Sequence, residues 1–554
     1  MSRRLALATE RVVDRASEGP RRRAMGRRLA LAIERVVDRA SEGPRRRTMS
    51  RSVVLAAALT VSSLGCSGAP EPVLVPPPPP SASAAAPLAS ATVDWLATRP
   101  TVPAPPPFVP PGPKVLAGPR GSTLWVLPRR ALPLVSIAVV SRVGSAHDPE
   151  KLPGLAHFTV DMADEGAGSR DALQLSAALD DLGASYGSSV SREDATLYLD
   201  VLSSHLEPAL ALLADIVTAP RHAEPDFARV RDLWKNALSA RTDDPQEVAR
   251  LVASAALFGP DSPYGHPTDG TMAANRTVTR ADVAACHARI FDPANLTFVV
   301  TGDVAEEQVK GLLDKAFDKL APSKGPKVAL RAPRLSTPPR VIAVIRDEAP
   351  QVVMTVIRRA PAASAKERPL LSLLNVALGG SFTSRLNQNL REDHGWTYGA
   401  ASRFVGYRED GVFLARASIR ADAIAPALGE NLKELDRMAA LGPTSDELPK
   451  MKALMRADAV GTYGTLRGIV HSLATNAALG LPPDVDALDL EVQSGATEAE
   501  LARLAKAHVG SAEATIVLVG PIKAIFAAAK AQGLPEPELW TPDGRLFVRG
   551  TKAR

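Results

Sequence analysis

Beyond residue 113 the chain alternates between short apolar runs and longer stretches with helical spacing. Residues 124–127 and 134–143 read as strands, and in the second Val135, Ile137 and Val139 fall on one face. Residues 153–164 and 170–182 read as helices, the second with Ser169 as N-cap and Gly183 as its stop. Residues 195–202 alternate as a strand, 205–218 and 224–241 return to the helical period, and 298–301 close the segment as a strand. The order then repeats. Strands are expected at 341–345, 352–357 and 411–419, helices at 366–378, 383–393 and 423–439, and a closing strand at 514–519.

The closing segments are alike: Asn295-Leu296-Thr297-Phe298-Val299-Val300-Thr301-Gly302-Asp303, and Ala514-Thr515-Ile516-Val517-Leu518-Val519-Gly520-Pro521. A spacing of about 217 residues is a domain duplication and far too long for a solenoid. Mixed strand and helix order implies an α+β fold with two homologous halves, at 114–330 and 331–545. Each is a mainly antiparallel sheet covered by helices.

The N-terminal part has no such pattern. Residues 3–23 recur at 27–47 with one change, Thr9 to Ile33, which reads as a repeated or mis-assigned extension over 1–48, or as a pair of basic amphipathic helices. The formal net charge is +6, but residues 1–51 hold fifteen Arg against six acidic residues, so the rest sums to +6 − 9 = −3. The basic balance belongs to this segment and implies no nucleic-acid partner.

Residues 49–66 have the layout of a secretory signal: Met49 as initiator, Arg51, a short apolar run at 53–61, then Ser63-Leu64-Gly65-Cys66. The end resembles a bacterial lipobox with Cys66 as the lipidated residue, although Ser63 stands where an aliphatic residue is usual. Ordinary cleavage nearby, with Cys66 a free thiol, is the other reading. Residues 67–113 follow as a Pro/Ala-rich tether of polyproline II type, interrupted by Trp95 and Phe108. The second cysteine, Cys286, sits in a helical stretch and reads as a small buried hydrophobe, so there is no disulfide framework.

The candidate chemistry starts at Gly154-Leu155-Ala156-His157-Phe158-Thr159-Val160-Asp161. This stretch resembles the inverted zinc motif H-x-x-E-H of the insulinase/pitrilysin (M16) peptidases. Further islands carry the resemblance: Val143-Gly144-Ser145-Ala146, Ser262-Pro263-Tyr264-Gly265-His266-Pro267, and the long run from Leu378-Gly379-Gly380-Ser381 through Ser384-Arg385-Leu386 and Leu390-Arg391-Glu392 to Gly395-Trp396-Thr397-Tyr398. The resemblance implies two LuxS/MPP-like domains forming a clamshell.

It also implies what is missing. An active member has a Glu base at Val160 and a second His ligand at Asp161. Its third ligand, a Glu, would fall near Lys235-Asn236-Ala237, where none stands. A zinc hydrolase needs three protein ligands and a base beside the metal-bound water. His157 and Asp161, four apart on a helix, remain as a bare pair. Asp164 and Glu165 read as solvated or as favoured by their place at a loop, and His147, His205 and His287 as structural or surface groups.

In the second half the resemblance assigns Arg391 and Tyr398, seven residues apart, to substrate contact near the scissile bond. A guanidinium offers a planar fork to peptide carbonyls, and a phenol can donate to a developing oxyanion. The plainer alternative is a surface charge at a helix end and an aromatic at the edge of the core. Gly379, Gly380 and Ser381 read as a helix C-cap, as a loop touching substrate, or as both.

The loss falls on one half only. The expected function is therefore a non-catalytic subunit of a two-chain zinc peptidase, giving Arg391 and Tyr398 in trans to a partner with an intact motif. Zinc is expected in that partner and no cofactor in this chain. Peptide would be the substrate, and the N-terminal lipid would hold the protein on the periplasmic side of a bacterial envelope. The alternatives are a lipid-anchored peptide-binding or scaffold protein, and a self-sufficient enzyme with unorthodox ligands.

Overall fold

A computed structural model describes residues 105–323 and 340–547; the basic repeat, the signal-like segment with Cys66 and most of the Pro-rich stretch lie outside the described residues. The first half builds a six-stranded sheet from β1 (Lys114–Ala117), β2 (Thr123–Pro128), β3 (Leu134–Ser141), β6 (Ser185–Val190), β7 (Ala195–Leu202) and β8 (Leu296–Gly302), beside a short hairpin of β4 (Gly166–Ala167) and β5 (Arg170–Asp171). The spatial order is β1-β2-β8-β3-β7-β6. The second half builds its sheet from β9 (Val341–Ile345), β10 (Gln351–Ala360), β11 (Thr397–Gly406), β12 (Gly411–Arg420), β13 (Thr515–Gly520) and β14 (Glu538–Leu539), in the order β11-β12-β10-β13-β9-β14. Pairing is antiparallel except at β2/β8, β9/β13 and β9/β14.

The apolar runs in the central strands have a physical reason: both faces are buried. In β3, Val135, Ile137 and Val139 join the core of the first half, while Ala138 and Val140 point to the opposite face. That face is covered by the helix Leu466–Leu479 of the second half, through Ile469, Val470 and Leu473. The second sheet repeats the arrangement. Ile516 and Leu518 of β13 face their own helices, and Val517 and Val519 meet the helix Pro245–Phe258 of the first half, through Val248, Val252 and Phe258. Each half thus lends one helix to the other's sheet, and cavities lined by both halves remain beside the exchanged helices.

Three local expectations change. The helix expected at 170–182 is Ala172–Asp181, capped by Asp171 and not by Ser169, because residues 170–171 pair in the small hairpin. Asp171 accepts from the Gln174 amide at 2.8 Å, and its own N–H donates back to the Gln174 side chain at 3.0 Å. The helices expected at 366–378 and 383–393 are each interrupted. Arg368–Asn375 runs into a π turn at Val376–Gly380, and the short helix Arg385–Asn387 into another at Gln388–Asp393. Phe108, at the end of the Pro-rich stretch, packs edge-on against Tyr463 at 6.4 Å. Cys286 is buried, and burial pushes its thiol up to about 11, as for an unreactive core residue.

Candidate functional site

The degenerate motif lies on the helix Leu155–Asp161. Its entry is fixed by Asp148, whose carboxylate accepts from the Gly154 amide at 2.7 Å and the Ala156 amide at 2.9 Å. Gly154 has φ 90° and lies against Gly270; a Cβ there would stand 2.4 Å from the Gly270 Cα, so the turn requires glycine. Leu155, Phe158 and Val160 face the core, with Phe158 stacked on Trp234 at 4.9 Å. His157 and Asp161 are left on the open side, and Asp161 Oδ2 lies 3.0 Å from His157 Nδ1.

These residues do not fit a zinc ion. Val160, at the position of the base, is 1% exposed and part of the packed core. Lys235, Asn236 and Ala237 lie on the solvent side of the helix Glu224–Arg241, which turns Trp234 and Leu238 inward. Beside His157 the loop residue Asp269 borders the same cavity, but it is committed to Arg241 at 2.6 Å. Among the described residues no three His, Cys, Asp or Glu side chains converge as a metal site. Burial opposes a charge on His157; the hydrogen bond and charge of Asp161, with Asp269 and Asp148 behind it, outweigh burial and raise the imidazole above its usual value. The two side chains therefore satisfy each other as a local hydrogen-bonded pair.

Asp164 and Glu165 are not the solvated groups expected. Glu165 is bonded to Arg229, and burial raises Asp164 to about 6. His147 and His287 are buried, as a structural role requires.

In the second half, Arg391 lies on the π turn Gln388–Asp393, and its guanidinium sits 4.5 Å over the Phe382 ring. Tyr398 follows at the start of β11, next to an irregularity in its pairing with β12. It is 91% exposed, and its hydroxyl has no hydrogen bond among the described residues. Gly379 and Gly380 do not form a left-handed cap; they end a π turn. Gly379 is buried so tightly on β11 that a Cβ would meet the Ser402 amide nitrogen at 2.4 Å. The Ser381 hydroxyl donates back to the Val376 carbonyl at 2.9 Å, and the side chain stays partly exposed.

The structure divides the named residues between two adjoining cavities. His157 borders one of about 510 Å³, together with Glu193, Asp194 and Tyr198. Tyr398 borders the other, of about 550 Å³, on the face of the second sheet beside the helix Pro245–Phe258. Arg192, Arg250, Val405 and Tyr407 line both, and Arg391 lines neither.

Sequence reasoning missed Glu193 and Arg408. Glu193, between β6 and β7, accepts from the Arg408 amide at 2.8 Å and from the buried Tyr264 hydroxyl. Arg408 Nη2 donates to the Glu193 carbonyl at 3.0 Å and the Arg142 carbonyl at 3.1 Å. This pair joins the halves at the cavities. Its one sequence signal was Tyr264, within an island already recognised.

Comparison with known proteins agrees with the geometry. Residues 128–264 match the model of the insulinase (peptidase family M16) domain, and residues 277–455 match the model of the peptidase M16 inactive domain. An uncharacterized zinc protease of Mycobacterium leprae is 28% identical over 367 residues, covering 61% of this chain and 80% of the relative. One from Mycobacterium tuberculosis is 29% identical over 353 residues, covering 62% and 77%. Among solved structures, a peptidase M16 inactive domain from Pseudomonas fluorescens superposes with a TM-score of 0.69 at 24% identity, over 74% of this chain and 98% of that one. A protease from Helicobacter pylori gives 0.66 at 21% identity, over 74% and 99%. With both halves matched in order and the fold shared, the chain belongs to the M16 peptidase family, as a member whose zinc motif is degenerate.

Proposed function

We propose that the protein is the non-catalytic subunit of a two-chain zinc peptidase. The observation that carries this is an asymmetry. The base position, Val160, is sealed into the core, while Tyr398 stands 91% exposed with an unused hydroxyl. An exposed phenol beside a cavity is well placed to donate to an oxyanion formed on a metal held elsewhere. In this reading Arg391, braced on Phe382, holds the peptide backbone, and the turn at Gly379, Gly380 and Ser381 borders the bound chain. Zinc and the base belong to a partner of the same family with an intact motif. The reading extends to a periplasmic location, with Cys66 as the lipid-bearing residue.

The test is peptidase activity and bound zinc of the full chain, alone and mixed with an intact M16 chain of the same genome. Activity only in the mixture is expected. Tyr398→Phe should lower the mixture's kcat by about 10²-fold, the scale of losing one oxyanion donor, and leave the melting temperature unchanged. Arg391→Ala should lower kcat/KM. Full activity of both variants in the mixture would refute the in-trans role. An inactive mixture that still binds peptide would favour the binding or scaffold reading instead.

A further inference from the structure

We propose that the cavity on the second sheet is a recognition site for acidic peptide segments, held by Arg192, Arg250, Arg403 and Arg416. This deepens the reading above, resting on it only in treating peptide as the molecule handled. The four guanidinium groups come from both halves. Arg403 of β11 and Arg416 of β12 share a face, since Ala401 pairs with Arg416 and Arg403 with Leu414. Arg250 comes from the exchanged helix Pro245–Phe258, and Arg192 from the turn between β6 and β7. All four line one cavity of about 550 Å³, and no Asp or Glu lines it among the described residues.

The missing counter-charge is the argument. Several shielded arginines elsewhere have carboxylates: Arg241 has Asp269, Arg368 has Asp489 and Arg385 has Glu447. In the cavity only Arg250 has one among the described residues, Glu247 at 2.6 Å. Arg192 is 7% exposed and its Nη1 donates to the His266 carbonyl at 3.1 Å, with no carboxylate partner among the described residues. Arg403 and Arg416 likewise have none. Arg403 is exposed at the cavity, and partial desolvation there, with the charges of Arg416 and Arg250, weakens its hold on its proton. Guanidinium groups crowded in this way gain most from planar, bidentate carboxylates.

The shape favours a peptide over a small anion. The floor is apolar, with Val353, Ile357 and Leu414, and Tyr398 stands at the rim. The volume lies within the roughly 300–1,000 Å³ of sites for organic ligands. An extended segment with Glu or Asp side chains matches both the apolar floor and the charged wall.

The experiment is fluorescence anisotropy on the full chain alone, at low salt, with a short labelled peptide rich in Glu and its Gln counterpart. The Glu peptide should bind at least about tenfold tighter, a difference of about 1.4 kcal/mol. Added salt should weaken it, and Arg403→Gln/Arg416→Gln, both at exposed positions, should abolish the preference without changing the melting temperature. Equal binding of the two peptides, or a preference kept in the double variant, would overturn the proposal. Inorganic phosphate that competes as strongly as the Glu peptide would also overturn it, leaving a bare anion site. No zinc-bearing partner is needed here. A failure of this pocket therefore leaves the split-site reading standing, and an inactive mixture with intact Glu preference leaves the pocket standing.

Discussion

Removing Glu193 tests how the two halves are joined. Its side chain is 4% exposed and that of Arg408 9%, with Nε and Oε2 3.7 Å apart. Glu193→Ala strands a buried guanidinium and takes the acceptor from the Arg408 amide and the Tyr264 hydroxyl. Breaking a buried ion pair from one side costs about 3–5 kcal/mol. For a half of this size that lowers the melting temperature by on the order of 10 °C. The pair itself is not expected to be a large net gain. Burial raises the Glu193 carboxyl above its ordinary value although Tyr264 and Arg408 pull it down, so desolvation outweighs the partners. Glu193→Gln/Arg408→Met should therefore recover most of what Glu193→Ala loses. The assay is thermal unfolding of the wild type, Glu193→Ala, Glu193→Gln, Arg408→Met and the double variant. A loss below about 1 kcal/mol in Glu193→Ala, or strictly additive single changes, would refute the reasoning.

Leu473→Ala, in the exchanged helix of the second half, should cost about 2–5 kcal/mol and speed amide exchange in β3 and β8 of the first half; protection unchanged there would argue against the exchange. Val160→Glu/Asp161→His should still bind no stoichiometric zinc, because no third ligand converges there among the described residues, and one zinc per chain by metal analysis would contradict this. Burial holds His147 and His287 neutral down to about 4, so their contribution is complete above pH 6.5 and is lost as the pH falls towards 4, about 2 kcal/mol each by pH 5. Burial of Asp148, raised to about 7, and Asp164, raised to about 6, acts in the opposite sense: stability grows as the pH falls through those values. His287→Gln, which keeps a donor for the Ile216 carbonyl, should therefore gain stability relative to wild type between pH 7 and 5; parallel pH profiles would sink this assignment.

Local pattern along the chain was enough to establish the duplication, the α+β class and the central strands. Their apolar runs reflect burial on both faces, and local pattern records burial whatever covers it. It also determined that Val160 and Asp161 cannot serve as base and second histidine, since side-chain identity alone decides that. Which helix covers which sheet is visible only in three dimensions. The residues 245–258 are amphipathic in either half, and nothing local records that their apolar stripe meets Val517 and Val519 across the chain. The same holds for the Glu193–Arg408 pair, separated by 215 residues, and for the arginine-lined cavity, whose charges are scattered from residue 192 to 416. The π turns around Gly379 and Arg391 escaped for a related reason. Their helical spacing is ordinary, and the close approach of Gly379 to Ser402 is a tertiary contact that no local pattern records.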